Sequence, residues 1–115
     1  MSDTALLEIR FFTTRPGTRA EFDRVSRDGT VPLMRRCGIE VLAHGPMLND
    51  EDGYCLVRVF ESEEDRLARG GSMYETDEWK RFYEEPVTAM MADYRTAVIE
   101  VPRHAVRAYA SAVLG

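Results

Sequence analysis

The chain repeats one pattern twice, and this repetition constrains its fold more than any other feature. Each half reads as an apolar strand, a helix and a second apolar strand, over Leu6 to Pro46 and over Tyr54 to Pro102. A polar, hairpin-like stretch at residues 48–53 joins the halves. A doubled βαβ unit of this length predicts an α+β, ferredoxin-like βαββαβ fold, with a four-stranded antiparallel sheet and helices on one face. The other face of such a sheet stays uncovered by these helices.

Length and charge limit the class of protein. A chain of 115 residues predicts a single domain over residues 1–115, with a core at about 6–101 and a C-terminal helical tail at 103–115. The net charge of −5 argues against nucleic acid as a partner, because few basic groups are left to neutralise phosphates. No long apolar run and no signal-like N-terminus occur, so we expect no membrane partner and a cytoplasmic location.

Side-chain alternation divides each strand into two faces. In the third strand, Cys55, Val57 and Val59 form an apolar face that we expect the helices to cover. A second apolar set would then be left exposed on a small monomer, which soluble proteins rarely tolerate. We therefore predict a homodimer in which two sheets pack face to face through this set. Its members are Phe12, Leu42, Leu56, Phe60 and Val98.

Helix boundaries are also marked in the sequence. Thr18 with Glu21 predicts a capping box at the start of the first helix, and Ser62 predicts an N-cap for the third helix. Gly38 predicts the end of the first helical region. Within that region, Asp28-Gly29 predicts a break or a second short turn.

Several short motifs follow one another in a fixed order between residues 6 and 101. They are Glu8-Ile9-Arg10-Phe11-Phe12, Pro16-Gly17, the Phe22 helix ending near Gly38, the run from Tyr54 to Ser62, Asp65-Arg66, and Thr76-Asp77-Glu78-Trp79. An opening E-x-R-x-Y/F, a Pro-Gly turn and a late D-x-W are typical of the NIPSNAP-like branch of the dimeric α/β-barrel superfamily, and the chain resembles it. The resemblance implies the fold and a dimer. It implies no single reaction, because members include cofactor-free monooxygenases, haem-degrading enzymes, decarboxylases, isomerases and proteins of no known activity.

Five polar and aromatic side chains are candidates for a functional site. His44 titrates near neutral pH and is the candidate general base. The alternative is a structural histidine that is hydrogen-bonded near the end of a strand. Tyr54 is a second candidate catalytic residue, and Tyr94 a candidate substrate-binding residue; aromatic packing is the alternative for both. Arg10 and Arg58 are candidate anion-binding residues, or else partners in structural ion pairs. In an enzyme, His44 and Arg58 should line one cavity.

The sequence lacks the motifs of the common cofactor-dependent enzymes. It has no metal triad, nucleophile elbow, phosphate-binding loop or dinucleotide fingerprint, so we expect no cofactor and no metal. Cys37 and Cys55 have no metal-binding spacing, and we expect two free thiols.

These observations give a functional expectation with two alternatives. We expect a homodimeric, cofactor-independent enzyme that acts by acid/base chemistry on an aromatic or polyketide-like small molecule in the barrel cavity. The first alternative is a ligand-binding or protein-interaction module without catalysis. The second is a haem-binding member of the superfamily, for which His44 and His104 are the possible imidazole ligands. A pocket with convergent polar groups favours the enzyme, and a filled apolar barrel favours the module.

Overall fold

The elements follow the predicted order of strand, helix and strand, twice, with a further helix at the end. The structure, a computed structural model, describes residues 3–114. A π-helical segment, Ser26–Thr30, joins the first two helices, and a 3₁₀ turn, Ser72–Glu75, and a second π-helical segment, Trp79–Tyr83, precede the fourth helix. The elements are β1 (Thr4–Thr14), α1 (Arg19–Val25), α2 (Val31–Arg36), β2 (Glu40–Pro46), β3 (Gly53–Phe60), α3 (Glu63–Arg69), α4 (Glu84–Met90), β4 (Met91–Pro102) and α5 (Arg103–Leu114).

The four strands form one antiparallel sheet in the order β2-β3-β1-β4. β1 pairs with both β3 and β4, and β2 pairs with β3. The two strands of each half are therefore separated by a strand of the other half. This topology confirms the predicted α+β, ferredoxin-like fold. Among the helices within residues 3–114, none combines the length and the apolar character needed to cross a membrane.

The predicted assignment of the sheet faces is wrong. The helices before β2 and β4 cover the face that carries Phe12, Tyr54, Leu56 and Phe60, and we call it the covered face. Leu56 is thus buried in the protein's own core and cannot belong to a dimer interface. The covered face also carries buried polar groups, such as Arg58, because the surrounding elements supply their hydrogen-bond partners. Apolar alternation alone does not show that a strand face with buried charged groups lies under the helices.

The opposite face, which we call the open face, is covered at one end only. Val106 of α5 packs there against Ala5, Leu42 and Val59. Leu42 is the one member of the predicted dimer set that lies in this cluster. Further along the same face, Phe11 and Ile99 stay exposed. These side chains form the apolar surface that α5 leaves uncovered.

Local sequence signals predicted some helix ends and not others. Gly38 has a φ of +83°, as expected of a glycine at the end of a helix. The Ser62 hydroxyl accepts from the Asp65 amide at 3.1 Å, as expected of a residue that caps the start of a helix. The capping box at Thr18 is wrong, because Thr18 has helical backbone angles and its hydroxyl donates to the Arg15 carbonyl oxygen at 2.7 Å. The expected break at Gly29 is instead a π-helical turn within a continuous helix.

Candidate functional site

A cavity of about 120 Å³ lies between the covered face and the helices. Its lining residues are mostly apolar and aromatic, and they also include Ser26, Thr30 and Thr88. An apolar cavity of about 150 Å³ is known to hold a benzene molecule, and this one is about four-fifths of that size. The aromatic side chains that line it are Phe12, Phe22, Tyr54, Tyr74 and Trp79.

The two π-helical segments shape the helical wall of this cavity. The first contributes Ser26 and Thr30, and the second contributes Trp79. They meet at Gly29, where a methyl group would lie only 2.5 Å from the Tyr83 ring. The missing side chain therefore lets the Tyr83 ring pack on the helix backbone. Single π-turns inside helices are frequent at functional sites.

Tyr54 connects the cavity to two residues that do not line it, Asp23 and His44. Its ring lines the cavity, and its hydroxyl donates to Oδ1 of Asp23 at 2.8 Å and lies 2.7 Å from Nδ1 of His44. Because a carboxylate only accepts hydrogen bonds, the Tyr54 proton is directed to Asp23. The imidazole must then carry its proton on Nδ1 and donate it to the Tyr54 oxygen. Nε2 of His44 is left as the basic nitrogen.

Burial sets the protonation states of this pair. Burial and the hydrogen bond to Asp23 raise the pKa of the Tyr54 hydroxyl well above its ordinary value of 10.0. Burial lowers the pKa of His44 from 6.5, and the opposing effect of the Asp23 charge does not restore it. At neutral pH the phenol is therefore protonated and the imidazole is mostly neutral. His44 itself does not line the cavity, whereas Tyr54 does.

A second polar group surrounds Glu8, whose side chain is 1% exposed. Arg58, fully buried, donates from Nε to Oε1 of Glu8 at 2.7 Å and from Nη1 to the Gly70 carbonyl oxygen at 3.2 Å. Arg10 donates to Oε1 at 3.1 Å, and Arg66 donates to Oε2 at 3.1 Å. One carboxylate thus lies among three guanidinium groups, which we call the arginine cluster (Glu8, Arg10, Arg58 and Arg66).

The arginine cluster carries an excess of positive charge. Burial by itself would raise the pKa of Glu8, but the charges of Arg58 and Arg10 hold it below its ordinary value of 4.5. Burial, together with the charge of Arg10, lowers the pKa of Arg58. Nη2 of Arg58 lies 2.7 Å from Oε1 of Glu8 but is misaligned and makes no hydrogen bond within the described part of the chain. Glu8 alone does not satisfy the cluster.

Tyr74 joins the arginine cluster to the cavity. Arg10 donates from Nη1 to the Tyr74 hydroxyl at 3.3 Å, and the Tyr74 ring lines the cavity edge-on to Trp79, with centroids 4.9 Å apart. Sequence reasoning missed Tyr74, because a single tyrosine in a short 3₁₀ turn belongs to no recognisable pattern. The Phe12–Tyr94 pair, with centroids 6.3 Å apart, leaves Tyr94 exposed on β4 outside the cavity lining.

The five predicted site residues therefore fall into separate groups. His44 and Tyr54 form one group, Arg10 and Arg58 form another, and Tyr94 lies on the edge strand. We expected His44 and Arg58 to line one cavity, but neither residue lines the 120 Å³ cavity. Their roles in catalysis and binding stay predictions.

The described residues contain no cluster of side chains for a metal ion. Within residues 3–114, no group of three or more His, Cys, Asp or Glu side chains is placed to hold a metal ion. His104 lies at the start of α5 beside Asp3 and Arg107, and His44 packs against Tyr54. The haem-binding alternative stays a prediction.

Comparisons with known proteins place the fold. The sequence matches no protein family and no curated protein. A NIPSNAP family protein of unknown function from Agrobacterium tumefaciens has a TM-score of 0.78 at 14% identity, over 90% of this chain and 93% of that chain. A NIPSNAP-like domain protein from Burkholderia xenovorans has a TM-score of 0.76 at 14% identity, over 85% of each chain.

A more distant structure comes from Nitrosomonas europaea and is described as a candidate antibiotic biosynthesis monooxygenase. Its TM-score is 0.64 at 13% identity, over 86% of this chain and 91% of that chain. Identities this low establish the fold and nothing finer. At that level, the predicted resemblance to NIPSNAP-like proteins is confirmed.

Proposed function

We propose that this protein binds a small ring-containing molecule in the cavity between the covered face and the helices. The observation that carries the proposal is the cavity itself, which has a volume of about 120 Å³ and is lined by five aromatic side chains among mostly apolar residues. Solved proteins of the same fold include NIPSNAP family proteins of unknown function, so fold likeness adds no substrate.

The residues that line the cavity determine which kind of ligand it can hold. Phe12 on the sheet and Trp79 on the second π-helical segment offer ring faces and edges from opposite sides of the cavity. Aromatic pairs in offset or edge-to-face arrangement are worth about 0.5–1.5 kcal/mol beyond the area they bury. Thr30 lines the same cavity, and its hydroxyl group can hydrogen-bond one polar substituent of the ligand.

The chain contains a natural reporter for this binding. Trp79 is its only tryptophan and lines the cavity. A neutral probe, benzamide, is therefore expected to change Trp79 fluorescence in a saturable titration. No change at any soluble concentration, with calorimetry also showing no heat of binding, would contradict the proposal.

A pair of variants on α4 separates cavity binding from surface binding. Thr88 lines the cavity and is exposed, whereas its neighbour Ala89 is exposed but does not line it. Thr88→Phe should fill the opening and abolish the benzamide response, and Ala89→Phe should leave it unchanged. Equal responses in both variants would place the probe elsewhere on the molecule.

A second candidate function is the acid/base enzyme. It is favoured by one observation, the hydrogen-bonded chain from Asp23 through Tyr54 to His44, since Tyr54 belongs to the cavity wall. A turnover carried by this chain should need His44 in its neutral form. His44→Ala should then remove the acid limb of the pH–rate profile, which the lowered pKa of His44 places below pH 6.5, and an unchanged profile would exclude His44 as the base.

A further inference from the structure

Two hydrogen-bond donors at the edge of the cavity have no acceptor among the residues that the structure describes. The Tyr74 hydroxyl accepts from Nη1 of Arg10, and its own proton is donated to no group within residues 3–114. Nη2 of Arg10 likewise makes no hydrogen bond to any described residue. The Arg10 side chain is 18% exposed, so water or a ligand can reach it.

The other two arginines of the arginine cluster are not open in this way. Arg58 is fully buried beneath Gly70. Arg66 uses Nε and Nη2 on Glu63 and Nη1 on Glu8. Arg10 is thus the member of the cluster that combines a positive charge, uncommitted N–H groups and access from solvent.

Charge and geometry then select the ligand. Three guanidinium groups share Glu8, so the charge near Arg10 favours an anion. The planar end of an arginine matches the two oxygens of a carboxylate. Tyr74 places its ring in the cavity wall and its hydroxyl beside Arg10, and this links an anion at the edge to a ring inside.

We infer that the ligand of the cavity is a small aromatic carboxylic acid, with its ring among the aromatic walls and its carboxylate on Arg10 and the Tyr74 hydroxyl. The inference rests on the proposed function and adds the chemical class of the ligand. It assigns a binding role to Tyr74, and it gives the anion to Arg10 in preference to Arg58.

The test compares benzoate with benzamide, which has the same ring and no charge. Titrations followed by calorimetry and by Trp79 fluorescence should show benzoate binding tighter by about tenfold or more, the effect expected of a hydrogen bond to a charged group. Arg10→Gln should reduce benzoate affinity to that of benzamide and leave benzamide unchanged. Tyr74→Phe keeps the ring against Trp79 and should lose part of the preference.

The control is Arg24→Gln, which removes the same charge from an exposed arginine that pairs with Glu21 on α1. It should keep the full preference for benzoate. Equal affinity for benzoate and benzamide in the unmodified protein, or a preference that survives Arg10→Gln and Tyr74→Phe, would overturn the inference and leave the cavity proposal intact. Binding of neither probe would contradict the proposed function itself.

Discussion

At the scale of residues, specific partners allow the covered face to bury charge. Glu8 and Arg58 are almost inaccessible, and each would cost several kcal/mol if it lay there alone. The carboxylate accepts from three arginines, and Arg58 also donates to the Gly70 carbonyl oxygen. Pairing of this kind explains how a polar strand face can lie under helices.

The protonation of His44 is a residue-level prediction. Its folded pKa lies below the ordinary 6.5, so the unfolded chain binds the proton more readily. Stability from this group is therefore present above about pH 6.5 and falls as the pH drops towards the folded pKa. A nitrogen-detected NMR titration should give a His44 pKa below 6.5, with the proton on Nδ1 at pH above it. A neutral form protonated on Nε2 would contradict the hydrogen bond to Tyr54.

Sequence reasoning reached some of these contacts and missed others. Alternation placed His44, Tyr54 and Arg58 on one face. The structure agrees for Tyr54 and Arg58 because they lie four residues apart in one regular strand, and it agrees for His44 only because β2 contains a bulge. Asp23 and Tyr74 come from a helix and a 3₁₀ turn, so their contacts with Tyr54 and Arg10 depend on packing between distant elements. No periodicity within a segment encodes that packing.

At the scale of elements, an irregularity in β2 decides where His44 lies. Val41 pairs with Arg58 and Ala43 pairs with Val57, so Leu42 is an extra residue in the ladder. His44 then pairs with Leu56 and lies on the same face as Val41. Strict alternation would put Val41 and His44 on opposite faces, and a sequence without this bulge would direct the imidazole away from Tyr54.

The contact between the two π-helical segments gives an element-level prediction. Gly29→Ala should destabilise the protein by about 1–3 kcal/mol, because the new methyl group meets the Tyr83 ring. With Tyr83→Ala in place, the same change should be neutral or stabilising, since alanine favours helix over glycine by about 1 kcal/mol. Urea unfolding of the four proteins of this double-mutant cycle measures the difference. An equal cost in both backgrounds would show that the ring does not set the requirement for glycine.

The strand order could be predicted from the chain, but the covered side of the sheet could not. Two similar βαβ halves admit few arrangements, and the ferredoxin-like one was confirmed. Both faces of β3 carry apolar residues, so composition favoured the Cys55, Val57 and Val59 face for the helices. The helices instead cover the face where their own polar groups match Arg58 and Tyr54.

At the scale of the whole molecule, the open face explains why a second copy is expected. α5 packs on one end of it through Val106, while Phe11 and Ile99 remain exposed at 36% and 47%. Exposed apolar residues on one sheet face of a small protein can mark an interaction surface. We propose that two copies pack through this part of the open face, in place of the set that contains Leu56.

Sedimentation velocity tests this proposal. The unmodified chain should sediment as a dimer, and Ile99→Asp should shift it to a monomer, because an unpaired carboxylate in an apolar interface costs several kcal/mol. Leu67→Asp is the control, since Leu67 is 70% exposed on α3 and away from the open face. A monomeric unmodified chain, or a dimer that survives Ile99→Asp, would contradict the proposed interface.

The central claim is that an aromatic acid binds between the sheet and the helices, and a crystal structure with 4-bromobenzoate tests it most directly. Anomalous scattering locates the bromine atom without assumptions about the ligand's pose. We expect a bromine peak in the cavity beside Phe12 and Trp79, with the carboxylate on Arg10 and Tyr74. A peak on the open face or elsewhere at the surface, with the cavity empty at saturating ligand, would contradict it.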